Sequence, residues 1–393
     1  MKDTKKAARA LQALTTAALA LPGLAAAEVQ TEYLFAHYKE ADLPASKGGG
    51  VGSERYEINS HRFRIVAPID EVVGTLNLTY ETLSGASPWF VMPGIDGRPV
   101  QIMSGASIRE ERLDIEPSVT FKLDQMQVST SVGYSTEDDY ESFSGGVELE
   151  YTPPAAAYSY VGGIGYSYDR LEPTDARGGP YDYRIDKADK DSLTAYAGVS
   201  FIINAQTVIQ GSIGYGRNNG YLSDPYKLAW IEGLSDTVSD WRPGGRQSYT
   251  LNARLRHYVS RFGAALHADY RLYDDNWQIT AHTVDVAWHQ NLGDSWRLTP
   301  SIRWYSQSQA YFYAPFYGSV RSDGYASSDY RLSPYGAISA RLDVRKSIAK
   351  WELGLGAEYY EASADYALKN VGTENPGLVE FMSLTAKLVY QFK

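Results

Sequence analysis

Residues 381–392 read FMSLTAKLVYQF and decide the fold. Met382, Leu384, Ala386, Leu388, Tyr390 and Phe392 share one parity, and Ser383, Thr385, Lys387 and Gln391 share the other. That is the period of a strand with one apolar and one wet face. A soluble edge strand can show this pattern once, but here most of the chain repeats it. No stretch after residue 27 stays apolar for the roughly 18 residues a membrane helix needs. Only helices and closed barrels satisfy every backbone polar group in lipid, so the repeated pattern predicts a closed sheet.

The amino terminus gives the compartment. Lys2, Lys5, Lys6 and Arg9 precede the uncharged run LQALTTAALALPGLAAA, which ends on Ala25-Ala26-Ala27 before Glu28. A basic segment, a short apolar segment and a small-residue cleavage site make residues 1–27 a secretory signal peptide, leaving 28–393 as one barrel domain. Its removal takes the formal charge from −10 to −13, because four basic residues and Asp3 leave with it. So acidic a chain is a poor match for nucleic acid. The absence of cysteine excludes disulfides, thiol chemistry and a lipidated amino-terminal cysteine.

Length sets the size. At about 9–14 residues per strand plus connections, the chain suits an all-β, antiparallel, up-and-down transmembrane barrel of about 16 strands, within a range of 14–18. Alternation places strands in 55–67, 72–80, 113–123, 128–134, 143–151, 158–168, 193–201, 208–215, 249–255, 264–272, 284–288, 298–304, 332–342, 351–359 and 381–392. Residues 29–40 complete the set, although Tyr33, Leu34, Phe35 and Ala36 leave their parity open. Short turns are expected at Pro68, Asp124, Pro153, Ala205, Ser260, Gly293 and Lys346, on the periplasmic side. Long loops at 84–106, 171–190, 218–245, 308–328 and 362–377 would lie outside the cell. Tyr80, Tyr134, Tyr168 and Tyr215 above, and Tyr151, Trp296, Trp351 and Tyr390 below, fit two interfacial girdles. The closing aromatic strand is the expected signal to the barrel-assembly machinery of a Gram-negative outer membrane, whose lipid is the first partner of such a porin-like chain.

Several stretches resemble the bacterial outer-membrane family catalogued as DUF3570. They are SGASPW from Ser84, REERLDI from Arg109, DYRLYDDNWQITAHTV from Asp269, RLTPSIRWYSQSQAYFY from Arg297 and SSDYRLSPYGA from Ser327. The resemblance implies a barrel encoded near a small lipoprotein and a periplasmic flavin transferase. It supplies no mechanism.

The lumen parity separates by charge. Glu81, Asp114, Glu116, Glu148, Glu150 and Asp169 lie on early strands. Arg254, Arg256, Arg271, Arg303, Arg331 and Arg341 lie about half a barrel later, so the two sets would face each other and set up a transverse field. His267, His282 and His289 stand near Ser301, Ser306 and Ser308, but only His282 has the lipid parity, so no catalytic triad is assembled. Asp186, Asp189 and Asp191, and Glu137-Asp138-Asp139, lack the glycine spacing of a calcium loop, and neither metal nor cofactor is expected. A channel or solute-uptake pore with a charge-segregated lumen is the first functional expectation. A filled, non-conducting platform for a periplasmic redox or secretion partner is the second, and a surface enzyme the third.

Overall fold

The computed structural model describes residues 28–104, 108–174 and 184–392, so the expected signal peptide lies outside the described residues. Twenty strands form, and no α-helix occurs among the described residues. In chain order they are β1 (Gln30–Glu40), β2 (Glu57–Ile69), β3 (Val72–Gly85), β4 (Pro88–Pro93), β5 (Pro99–Met103), β6 (Ile108–Leu123) and β7 (Met126–Glu137). There follow β8 (Tyr140–Tyr151), β9 (Tyr158–Leu171), β10 (Ala188–Asn204), β11 (Thr207–Gly220), β12 (Leu228–Ile231), β13 (Asp236–Ser239) and β14 (Gly245–Val259). The last six are β15 (Ala264–Asp275), β16 (Thr280–Leu292), β17 (Trp296–Gln307), β18 (Tyr335–Ile348), β19 (Trp351–Ser363) and β20 (Glu380–Gln391).

Sixteen of these close an antiparallel barrel in simple up-and-down order, while β4–β5 and β12–β13 are separate hairpins. Closure is made by β20 against β1, from Gln30 opposite Gln391 to Glu40 opposite Phe381. The same register settles the first strand. Tyr33 stands opposite Leu388 and Phe63, all three exposed on the outer face, so Glu32 points inward and meets Lys387 at 2.8 Å.

The outer face carries the apolar parity read from the sequence. Phe121, Val132, Val147, Ile164, Ile213, Leu251, Ile302, Leu355 and Leu384 are all exposed there. Aromatic residues gather at both rims. At the end away from the termini, called distal here, Tyr134 packs on Phe143 and Tyr215 on Tyr249. At the proximal end Trp351 packs on Tyr390, which also meets Phe392, and Lys346 lies over Trp296.

Some boundaries differ from the alternation. β2 runs on through Pro68 to Ile69, so the turn expected over 68–71 narrows to residues 70–71, while Lys346 falls inside β18 and its turn comes later; Asp70 and Ala349 adopt positive φ of 52°. Leu332 does not begin a strand. It is buried in a short 3₁₀ turn, Tyr330–Leu332, and β18 starts at Tyr335. Two distal connections, at 138–139 and 276–279, are as short as the proximal turns, so loop length does not alternate strictly.

The described parts of the longer distal connections, with the short 276–279 connection, form a cap with apolar clusters of its own. One holds Trp277, Ile279, Phe312, Tyr313 and Leu332; another Tyr330, Ala337, Ala362, Leu378 and Val379; a third Ala229, Ile231, Tyr317 and Ala326. The β19–β20 connection also presses on the outside of the wall. A Cβ on Gly336 would sit 2.0 Å from the Tyr366 carbonyl carbon, so only glycine allows this approach.

Candidate functional site

The charges on the inner face pair sideways. On the early strands, Arg112 of β6 reaches Glu81 of β3 at 3.3 Å, Asp114 at 3.1 Å and Glu137 of β7 at 3.8 Å. Glu116 lies two residues beyond Asp114 and shares its environment with Arg64 of β2. Glu148 of β8 accepts the Tyr196 hydroxyl from β10, and that ring lies flat over Gly163 of β9, where a Cβ would come within 2.6 Å of it. Glu150 follows on the same face of β8. Asp169 is buried near the distal end, held by Lys190 at 3.0 Å and by the Ser142 hydroxyl at 2.6 Å.

The later strands carry the arginines, but with acids among them. Arg254 and Arg256 of β14 share Asp269 of β15, and Arg303 of β17 donates to Asp285 of β16 at 2.8 Å. Arg341 of β18 binds Asp343 at 2.7 Å and approaches Glu358 of β19 at 3.5 Å. Arg271 stands between Asn252 and Thr283 in the register. Asp269, Asp285, Asp343 and Glu358 therefore offset most of this wall, a compensation absent from the sequence reading. Their parity, the same as that of the arginines, was the available signal. Each ion pair measured here joins residues of one strand or of neighbouring strands, and the Glu148–Tyr196 bond spans one strand, β9. These pairs run around the wall and leave the axis of the barrel unbridged.

Arg331 is not on the wall. It sits in the 3₁₀ turn before β18 and belongs to the cap, where its guanidinium holds Asp329 and reaches Asp224 at 3.1 Å. Arg242 binds Asp240 at 2.7 Å and Asp329 at 2.9 Å, and Asp240 also receives the Ser327 hydroxyl. Burial alone would raise the Asp329 carboxyl, but Arg331, Lys227 and Arg242 hold it well below the ordinary carboxylate range. Lys227 is pushed down by burial, against the pull of Asp329 and Asp224.

This network ties together loops from around the mouth. Lys227 of the β11–β14 connection donates to the Pro88 carbonyl of the β3–β6 connection at 2.9 Å. Strands β7 to β10 stand between those two connections, so the bond crosses the opening. Ser328 accepts from the Val91 amide at 3.3 Å, Asn375 donates to Tyr313 and to the Ser328 carbonyl, and Lys47 meets Glu374 at 3.0 Å. The crevice between Trp89, Gln101, Lys227 and Asp329 is too tight to hold a water molecule.

The other candidates do not converge. His282 bonds the Tyr270 hydroxyl at 2.8 Å, while its register neighbour Ser306 accepts from the Leu368 amide. Glu137 turns to Arg112, and Asp139 accepts the Tyr226 hydroxyl. Asp191 accepts from Asn219, and among the described residues Asp186 and Asp189 belong to no group of three or more potential metal ligands.

The fold defines a β-barrel of the bacterial outer-membrane class. CdiB from Acinetobacter baumannii is similar with a TM-score of 0.51 at 8% identity, over 92% of this chain and 60% of that one. A bacterial polysaccharide outer membrane secretin gives a TM-score of 0.49 at 9% identity, over 93% of this chain and 99% of that one. The siderophore receptor PirA from Pseudomonas aeruginosa gives 0.41 at 11% identity; 85% of this chain matches 56% of the receptor, so the chain spans little more than half its length. No curated protein sequence matches the chain. Residues 11–388 match the family model described as a protein of unknown function, DUF3570, and the chain belongs to that family.

Proposed function

We propose that this protein is a gated channel of the bacterial outer membrane, exported by its amino-terminal signal and oriented with the cap outside the cell. The observation that carries the reading is the sideways pairing of the wall charges. Ion pairs that hug the wall are what a polar path along the axis requires, and the Arg303 side chain in mid-wall is 50% exposed. A barrel of about sixteen strands is wide enough for an aqueous lumen. In this reading the cap stoppers that path at the distal end. Solute passage then requires the cap network to part, and the wall charges screen what passes.

Sealing of the distal mouth also favours a second reading, a closed barrel whose cap and two hairpins present a rigid surface to a partner such as a small lipoprotein. Planar-bilayer recording separates the two. The channel reading expects rare openings in the native protein and at least a tenfold higher open fraction in Asp329→Asn, which leaves Arg331 and Arg242 short of a counter-charge. Silence in both, with heat-modifiable barrels intact, would reject the channel and leave the platform.

A further inference from the structure

We infer that the proximal end of the β14–β18 wall is a binding site for a phosphate-type oxyanion, free or carried as the end group of a small solute. His267 of β15 and His289 of β16 touch there, with ring centroids 4.0 Å apart. His267 has no hydrogen-bond partner among the described residues, and His289 uses Nδ1 to meet the Thr299 hydroxyl at 3.2 Å. The other ring nitrogen of His289 and both of those of His267 have no hydrogen bond among the described residues. Arg256 stands opposite His267 in the register, and Arg297, Arg345 and Arg256 are the cations whose charge acts on His289, with Asp343 opposing them.

Arg297 and Arg345 are themselves register partners across β17 and β18. Like charges directly opposite each other destabilise a sheet, and the cost is relieved when an anion sits between them. The local acids are largely engaged. Asp269 holds Arg254 and Arg256, Asp343 holds Arg341, and Glu352 approaches Arg345 only to 3.7 Å. Arg297 donates to the neutral Asn291 side chain at 3.0 Å and has no carboxylate partner among the described residues. Two planar guanidinium groups and two imidazoles on one face offer the forked donors that recognise a phosphate.

The site opens towards the termini, so binding does not depend on the cap or on conduction. Titration calorimetry on the purified barrel in detergent, with inorganic phosphate and separately with a sugar phosphate, tests it. Saturable binding at one site is expected, reduced at least tenfold in the Arg297→Gln, Arg345→Gln double variant. Arg297→Lys keeps the charge and is expected to lose less, while Arg261→Gln, on the adjacent proximal turn, is expected to change nothing. Tighter binding of the sugar phosphate identifies a carried group, and equal binding identifies the free anion. No saturable binding by the native barrel, or binding unchanged in the folded double variant, would overturn the site. If the double variant fails to fold, Thr299→Val and His267→Gln provide the same comparison from the imidazole side.

Discussion

The wall and the cap use the same ion pairs in opposite ways. On the wall, Arg303 and Asp285 are 50% and 31% exposed and meet one partner each. In the cap, Arg242 is 2% exposed, Asp240 and Asp329 are 0% exposed, and each carboxylate holds several donors. Exposed pairs contribute roughly 0–1 kcal/mol, whereas breaking a buried pair costs about 3–5 kcal/mol because the remaining charge is stranded. The mid-wall pair is thus one that tolerates change, unlike Lys190 and Asp169 near the distal rim, which are buried. The cap is a small soluble-type core that holds one closed arrangement.

The largest expected effect breaks the cap. Arg331→Ala removes a partner of Asp329 and Asp224, and the cap is expected to lose about 3–5 kcal/mol while the barrel keeps its midpoint. Hydrogen exchange should accelerate at 324–334 and not in β6 or β19. Uniform acceleration would show that cap and wall are one cooperative unit.

The wall has its own weak point, on the face that meets lipid. Leu355→Arg is expected to cost about 2–4 kcal/mol, since a charge would enter hydrocarbon, and the urea midpoint of the whole barrel should fall. An unchanged midpoint would mean that this face of β19 is not in lipid.

Acidity sharpens the contrast. The Asp329 carboxyl is held below its unfolded value, so its contribution is complete above the ordinary carboxylate range, about pH 4, and is lost as pH falls through the lower folded value. Protease resistance of the 308–334 connection should therefore persist at pH 5 and disappear only well below pH 4. Loss between pH 6 and 5 would contradict the buried pairing.

The smallest effect on stability, and the clearest on transport, belongs to the arginine wall. Arg254→Ser, Arg256→Ser and Arg303→Ser together should leave folding intact and shift the reversal potential towards cations, because Asp269, Asp285, Glu148 and Glu150 remain. A lowered midpoint with no change in reversal potential would mean that these side chains hold the wall together rather than screen solutes.

Strand number, order and facing were legible because they rest on a period of two that each hairpin states locally. Met382, Leu384 and Leu388 declare their face without reference to any distant residue. The first strand was legible only in part. Its central residues, Tyr33 to Ala36, are all apolar, and its parity is fixed by β20 from the other end of the chain.

The candidate site was legible as a set of inward residues and not as an arrangement. Alternation places Arg256, Asp269 and Asp285 on one face, but which acid answers which arginine depends on register between strands. Arg331 looked like a wall residue because Gly336, Ile338 and Ala340 extend its neighbourhood in good alternation. The chain bends at Ser333, and the guanidinium is drawn instead to Asp224 and Asp329.

By itself the sequence determined a closed antiparallel sheet for lipid, since alternation and the need to satisfy every backbone group leave no other spanning structure. Only the tertiary structure decided that loops from around the distal mouth bond to one another. Lys227 and Pro88, or Asn375 and Ser328, are far apart in the chain and carry no periodic signal. They meet because a closed barrel brings its loops onto one ring, where burying their charges and aromatic rings together is the way to satisfy them.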